Sequence, residues 1–530
     1  MGLFGLFSNR NDTHPTPLKS SVQEWMGDEN HERVMRLVKL YDRYEGKQVF
    51  ENYQKPDDLQ YQPTLLTINY DRLLVDTMAA WEFEMAPKHD VSPGIIDDPI
   101  DMASEAYEES AEQDAENRRA AAKELLINRV HNDNRSHEKL LEAAKDRKIA
   151  GTVWIKLAYD KRTGKIRLAF RPDLEVVAKW SMDDADTLEE VHFFKYLDAE
   201  LTKMWRQSYR MDTNPTTGAF ECYVHEATYD VTDPDAMEIV EEHVAYQSMG
   251  LDFIPVVDVP NEKLAGMTRG YSEIDKYADI TDEINRKLSD YSDAIRFEMF
   301  AITLLMNVDD AKGLKTAPGA LWNIVGDGGL LEGQLPEVKK LESNFRFKEA
   351  TEAYLDRLYA NLHKIAEVPS VNTAEMNVGG INDMAVKLLF SAIISKTQRS
   401  WVIWRSRLQL LNEYILRYMQ ARQDDVNFAY DKAQVAQIDD NYDNQVHFRL
   451  PLPEDQVALV NRLTTEMASD LESIKGAMAR NGIENPEAKL MEIMAEKRMM
   501  QANEDPYMGA FATPQVAQPA APKAEGLPTE

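Results

Sequence analysis

The stretch SEIDKYADITDEINRKLSDYSDAIRFEMF, residues 272–300, decides how the chain is read. It holds no proline or glycine, and Ile274, Tyr277, Thr281, Ile284, Leu288, Tyr291 and Ile295 follow one another at steps of three and four. That spacing predicts a long helix with one packing seam and one polar interruption. Asp275, Asp279, Asp282, Asp290 and Asp293 fall about 80 to 160° from the seam at roughly 100° per residue, with Arg286 the one basic member. One side of the helix packs and the other is acidic.

Downstream, residues 301–343 break the pattern with eight Gly and Pro residues around short apolar runs, Ile302 to Met306 and Leu321 to Val325, which predicts a small β-rich insert. A second helix follows from about Phe345 to Glu367, ended by Pro369. Ser370 to Asn382 is a loop carrying Gly379-Gly380, and a third helical stretch runs from Asp383 to Gln420, spanning about 57 Å if unbroken at ~1.5 Å per residue. Val457, Val460, Met467, Leu471, Ile474 and Met478 mark another amphipathic helix, and a last helix covers Pro486 to Gln501. The Pro- and Ala-rich tail beyond Asp505 is expected to be disordered.

Upstream, helical spacing recurs from Glu32 to Arg43 and from Tyr70 to Glu84, where Leu73, Met78 and Trp81 form the apolar side. Residues 97–118 read as a solvated acidic approach to one long helix over Ala120 to Arg147. After Gly151 the period changes to two: Val153, Ile155 and Leu157, then a turn at Arg162-Thr163-Gly164-Lys165, then Ile166, Leu168 and Phe170, the pattern of a β-hairpin. Further strands are expected at Val191 to Leu197, Phe220 to Tyr229 and Ile239 to Ala245. The fold class is therefore α+β, mainly helical.

At 530 residues with 43% hydrophobic side chains the chain holds several packed parts. Its 91 acidic against 60 basic residues give a formal charge of -31, so any contact with nucleic acid must be local or weak. The single Cys222 excludes an intrachain disulfide and a Cys-based zinc cluster, and reads as a half-buried strand residue. No apolar run approaches the roughly 20 residues that span a bilayer. The apolar start Leu3, Phe4, Leu6 and Phe7 is cut short by Asn9 to Asp12, and Leu6 stands where a myristoylation signal wants Ser or Thr. A soluble, unexported protein is expected.

Enzyme signals are absent. There is no Walker A pattern, no His-Glu-x-x-His and no Gly-x-Ser-x-Gly. Asp439, Asp440 and Asp443 cluster, but the spacing fits no EF-hand loop and reads as a polar turn. The ten histidines show no paired ligand spacing. No cofactor is implied.

Several strings, in this order, resemble phage portal proteins of the type built from wing, stem, clip and crown. They are Ile254-Pro255-Val256-Val257 through Gly270-Tyr271-Ser272-Glu273-Ile274, then Asp282-Glu283-Ile284-Asn285 and Ser289-Asp290. Lys364-Ile365-Ala366-Glu367-Val368-Pro369 with Met384-Ala385-Val386-Lys387-Leu388-Leu389 follows, then Leu450-Pro451-Leu452-Pro453-Glu454-Asp455 and Asn481-Gly482-Ile483-Glu484-Asn485-Pro486-Glu487. The resemblance covers roughly residues 30 to 505. Many relatives close the central loop with Ser-Gly where this chain has Asn382-Asp383, which leaves helix capping intact.

The resemblance implies a flexible lead-in at 1–30, a wing at 31–269, a stem helix at 270–300, a clip at 301–343, a second stem helix at 344–368 and a tunnel loop at 369–382. The long helix and the rest of the wing then occupy 383–450, a helical crown 451–505 and a disordered tail 506–530. It implies a closed ring, of 12 copies in the family, conducting double-stranded DNA for packaging, retention and ejection at a capsid vertex of the virion. Assembly in the host cytoplasm, docking of terminase and then of a head-tail adaptor, and contacts with major capsid and scaffolding proteins follow from the same source. Glu375, Met376, Asn377, Val378, Gly379 and Gly380 would form the DNA-channel loop, or an ordinary helix connection. The acidic stem face would line the channel, where repulsion from phosphates prevents gripping, or be a solvated face. Trp322, Ile324, Leu330 and Leu331 would anchor clip partners, or form the insert's own core. The competing functions are a metal-dependent nuclease using Asp439, Asp440 and Asp443, and another minor virion protein without a channel.

Overall fold

The computed structural model describes residues 20–47, 50, 61–102, 108–233, 235–299, 303–306, 337–340, 348–370, 387–452, 456–469, 471–483, 489–494 and 496–497. Two compact units meet in the chain after Pro451. Glu375 to Gly380 of the expected loop, and Trp322, Ile324, Leu330 and Leu331 of the expected insert, lie outside the described residues.

The first unit opens with helices α1 (Ser20–Met26), α2 (Asp28–Tyr44) and α3 (Tyr70–Phe83), the short strand β1 (Lys88–Asp90) and a single turn, α4 (Pro99–Met102). α1 falls in the stretch expected to be a flexible lead-in. It is ordered because Trp25 packs edge-on to His192 and Phe194, with the Arg206 guanidinium over its ring. Leu73, read as part of the apolar side of α3, is 55% exposed; the buried stripe is Leu74, Val75, Met78, Ala79 and Phe83.

The single helix expected over Ala120 to Arg147 is two, α5 (Ala111–Asp133) and α6 (Ser136–Ala150). The break sits at Asn134 and at Arg135, which takes a left-handed φ of 50°. The Asn134 amide donates to Val130 O and Ile166 O and accepts from Leu168 N, so it binds strand backbone as well as its own helix. Those bonds compensate the unfavourable turn, and helical periodicity carries no trace of them.

The predicted hairpin is present as β2 (Thr152–Asp160) and β3 (Lys165–Pro172), and β9 (Val256–Pro260) adds to β2 in the order β3-β2-β9. The second sheet is an antiparallel meander of β4 (Val176–Trp180), β5 (Leu188–Tyr196), β6 (Lys203–Thr213), β7 (Phe220–Asp230) and β8 (Glu238–Ser248), in chain order. Sequence periodicity missed β4, β6 and β9. β6, KMWRQSYRMDT, is mostly polar, while β9 is buried along its whole length and shows no alternation. Cys222 in β7 is fully buried rather than half-buried, because the meander packs on both faces.

Next come α7 (Ala278–Met299), the strands β10 (Thr303–Met306) and β11 (Glu337–Lys340), α8 (Lys348–Ala366) and α9 (Ser391–Arg422). β10 and β11 pair antiparallel, bringing together the two ends of the expected insert. α10 (Lys432–Val435) and β12 (Gln445–His447) follow, and β12 pairs with β1. In the second unit the helix expected through Met478 is two, α11 (Gln456–Ala468) and α12 (Ile474–Arg480), with Leu459, Leu463 and Ala477 as their small core. Helices outweigh strands, as expected of this α+β chain.

One buried charge bridges the three-stranded and five-stranded sheets of the first unit. Lys156 of β2 is 7% exposed, lies over the Phe193 and Trp205 rings and donates to Gln207. Burial pushes its ammonium down to about 8. From there up to the free-lysine value of about 10.4 the unfolded chain holds more protons than the native one, so stability rises with pH across that window. Lys156→Met is expected to raise stability at pH 7 by about 1–3 kcal/mol, an advantage that shrinks at pH 10, measured by denaturant unfolding at both pH values.

Candidate functional site

The long helices α7, α8 and α9 converge on one buried cluster of charges. Two glycines make its geometry. Gly151 ends α6 at φ +83°, and a side-chain carbon there would lie 2.3 Å from Gly270 O. Only this close backbone approach lets Glu273 N reach Lys148 O, at 2.9 Å, and puts the Glu273 carboxylate inside the protein.

Around Glu273 stand Lys396 at 2.8 Å, Lys276 at 3.1 Å and Lys148 at 3.8 Å. Lys148 also meets Glu82 at 2.7 Å. Glu82 in turn accepts from Ser400 Oγ and from Trp404 Nε1, and its backbone carbonyl accepts from Trp401 Nε1. Arg147 completes the set, donating to Pro260 O and Ser400 Oγ with its guanidinium over Trp404. Burial alone would raise the Glu273 carboxyl, but the charges of Lys148, Lys396 and Lys276 outweigh it and hold the group well below the usual carboxylate range. Glu82 is lowered in the same way: burial opposes, and Lys148 and Arg147 prevail. Both acids are ionised, and their lone pairs are taken up by named donors.

The cluster also ties the two sides of residues 371–386 together. Lys396, in the first turns of α9, donates to Ala366 O, the last residue of α8, at 2.9 Å. Just outside, Arg399 pairs with Glu367, which takes a left-handed φ of 55°. One lysine and one arginine of α9 thus hold the end of α8 and the residue after it.

Along α7 the acidic side is not uniform. Asp282 binds Arg43 at 2.9 Å. Asp293 is 8% exposed and accepts from Thr64 N, Thr64 Oγ1 and Arg296. Asp275 sits before α7 in a 3-10 turn and pairs with Arg36. Asp279 and Asp290 are exposed, with Lys287 3.5 Å from Asp290. Three of the five are therefore paired with the chain's own arginines or backbone, a distinction that charge and spacing do not carry. The expected seam is buried at Ile274, Tyr277, Thr281 and Ile284 and fades by Ile295, which is 39% exposed.

What covers the flank of α7 is an extended segment that periodicity missed. Thr64 N donates to Asp293, Leu66 N to Ser289 Oγ at 2.9 Å and Ile68 N to Asn285 Oδ1 at 2.8 Å, while Asn285 Nδ2 returns a bond to Ile68 O. Four helical residues rise about 6.0 Å and two extended residues about 6.6 Å, so every second amide meets every fourth side chain. The polar residues Asn285, Ser289 and Asp293, spaced by four, were the signal.

Other candidates lead nowhere catalytic. Asp439 is engaged by the buried Lys123 at 2.9 Å, and among the described residues no three His, Cys, Asp or Glu side chains gather to hold a metal ion. A cleft of about 720 Å³ beside β5 and α9 has its central charges paired, Arg407 with Asp186 at 2.7 Å and with Asp258 at 3.6 Å. No described helix is long and apolar enough to cross a membrane.

The family model described as phage portal protein, SPP1 Gp6-like, matches residues 23–503. The chain belongs to this family of phage portal proteins. No curated protein matches the chain. A portal protein is a structural component of the virion, a head-tail connector at a capsid vertex, and not an enzyme. Its family assembles into a ring and meets capsid and DNA. In this portal protein Glu273, just ahead of α7, the end of α8 and the start of α9 share one buried electrostatic anchor.

Lys396→Met is expected to lower the stability of the portal subunit by about 3 kcal/mol at pH 7. The Glu273 carboxyl is depressed in the native state, so its contribution is present above the ordinary glutamate range of about 4.3 and lost as pH falls through the depressed value. The cost of the substitution should shrink accordingly in acid, measured by thermal unfolding at pH 7 and pH 3.

Proposed function

We propose that the chain is one subunit of a closed ring, of about twelve copies by analogy with the family, whose channel passes double-stranded DNA during packaging, retention and ejection. The observation that carries this reading is the helix pair Ala278–Met299 and Lys348–Ala366, joined to Ser391–Arg422 by one buried cluster on both sides of residues 371–386. A loop that meets moving DNA must transmit load into a rigid base, and Lys396 and Arg399 supply one.

In this reading Glu375, Met376, Asn377, Val378, Gly379 and Gly380 form the channel loop, and residues 301–343 are the clip that receives terminase and later the head-tail adaptor. Trp322, Ile324, Leu330 and Leu331 are its contact anchors. Residues 451–505 form the crown, and the wing meets major capsid and scaffolding proteins during assembly in the host cytoplasm. Asp279 and Asp290, exposed on α7, are the acidic stem residues left to repel phosphate from the channel wall. Asp275, Asp282 and Asp293 hold the stem together instead.

Single-particle images of the purified protein should show closed rings; monomers alone would sink the reading. Deleting Glu375 to Gly380 should leave rings intact while packaging of DNA into capsids in vitro falls severalfold, and unchanged packaging would remove the loop from the mechanism.

A further inference from the structure

The extended segment on α7 leaves apolar side chains partly open to solvent. Leu65, Leu66 and Ile68 are 44%, 38% and 38% exposed. The segment therefore replaces a polar helix flank, built from Asn285, Ser289 and Asp293, with an apolar one. A contiguous apolar strip on a stem helix marks a contact surface.

Its position relative to α8 identifies the partner. Tyr291 and Glu283 of α7 reach α8, through Glu352 and Tyr354. At about 100° per residue they lie roughly 160° round the helix from Ser289 and Asn285, which hold the strap. Strap and α8 thus flank α7 on opposite sides. α8 likewise has a bare outer face: Leu355, Leu362 and Ala366 are buried, while Ala350, Ala353, Arg357, Ala360 and Lys364 are exposed. Those exposed residues sit roughly 140 to 180° from the buried ones. Repeating the order strap, α7, α8 around a ring brings the strap of each copy against the α8 of the next, a head-to-tail contact that closes by rotation.

The heights agree as well. The two helices run antiparallel, with Tyr291 meeting Glu352 and Glu283 meeting Tyr354, so between these two contacts the stretch from Asn285 to Asp293 lies level with the part of α8 around Ala350 and Ala353. The strap from Thr64 to Ile68 therefore faces the α8 stretch that contains Ala350 and Ala353, both exposed. Rotation about a ring axis along the helix pair leaves heights unchanged, so the same match holds between copies. Branched side chains on one side meet alanines on the other, which allows close approach.

We propose that Leu66 and Ile68 of one copy, which share one side of the extended segment, pack on the outer face of Lys348–Ala366 of a second copy, around Ala350 and Ala353, and that this contact builds the stem of the ring. The proposal rests on the reading of the chain as a ring subunit. Extended-strap docking makes the contact depend on Asn285 and Ser289, which touch no neighbour themselves.

The test is cysteine cross-linking in assembled protein. The native Cys222 is buried and its thiol pushed up to about 12, so it stays silent. Rings carrying Leu66→Cys together with Ala353→Cys should give, on oxidation, a covalent ladder well beyond the dimer on a denaturing gel, and neither single variant should. Intact rings without a ladder overturn the contact and leave the ring reading standing, whereas wild-type protein that forms no ring overturns that reading. A dimer from Leu66→Cys alone overturns the head-to-tail arrangement. As a second measurement, Leu66→Asp should raise the concentration for half-assembly at least about tenfold with unchanged far-UV circular dichroism; unchanged assembly overturns the contact.

Discussion

The carboxylates of Glu82 and Glu273 and the cations Arg147, Lys148 and Lys396 meet in one dry place, and the rest of the first unit is arranged around that meeting. Two acids and three bases removed from water are costly unless every lone pair and proton finds a partner. Here Ser400, Trp404, Asn261, Pro260 O and Ala366 O provide them. Such a site is poor at adding net stability and good at rejecting alternatives. A shift of α9 by one turn would strand Lys396 from both Glu273 and Ala366 O. The register of the long helices against the rest of the first unit is thereby specified more sharply than apolar packing alone would specify it.

A portal subunit has a mechanical problem that this arrangement addresses. Long helices in a ring subunit that meets capsid and DNA must keep their places under load. The helices α7 and α8 are not free rods. α7 is held at its base by Glu273, along its flank by the strap from Thr64 to Ile68, and by Arg43 reaching Asp71 and Asp282 at once. α8 is held at its last carbonyl. These bonds are formed by polar side chains in partly dry surroundings, where hydrogen bonds are strong and unmet ones costly.

The charge of the chain takes on a more local meaning in this light. At -31 the subunit is globally repulsive to DNA, yet its acidic residues on α7 divide by function. Asp282 and Asp293 are structural anchors, while Asp279 and Asp290 remain at the surface. Net charge and helical angle do not make that division, because it depends on where Arg43 and Thr64, more than two hundred residues earlier in the chain, come to lie.

By itself the sequence determined the long helices and their order, and the β2–β3 hairpin, since proline, glycine and apolar spacing act locally and are written residue by residue. The same order carried the resemblance to portal proteins. It could not determine the break at Asn134, the mostly polar β6 or the buried β9, because each is stabilised by partners distant in the chain. It showed Lys396 as one base among many on a helix, and Asn285 and Ser289 as polar interruptions of a seam. Only the tertiary structure decided that Lys396 joins α8 to Glu273 and that the polar interruptions carry a strap, because hydrogen bonds and buried ion pairs form between groups that folding alone brings within 3 Å.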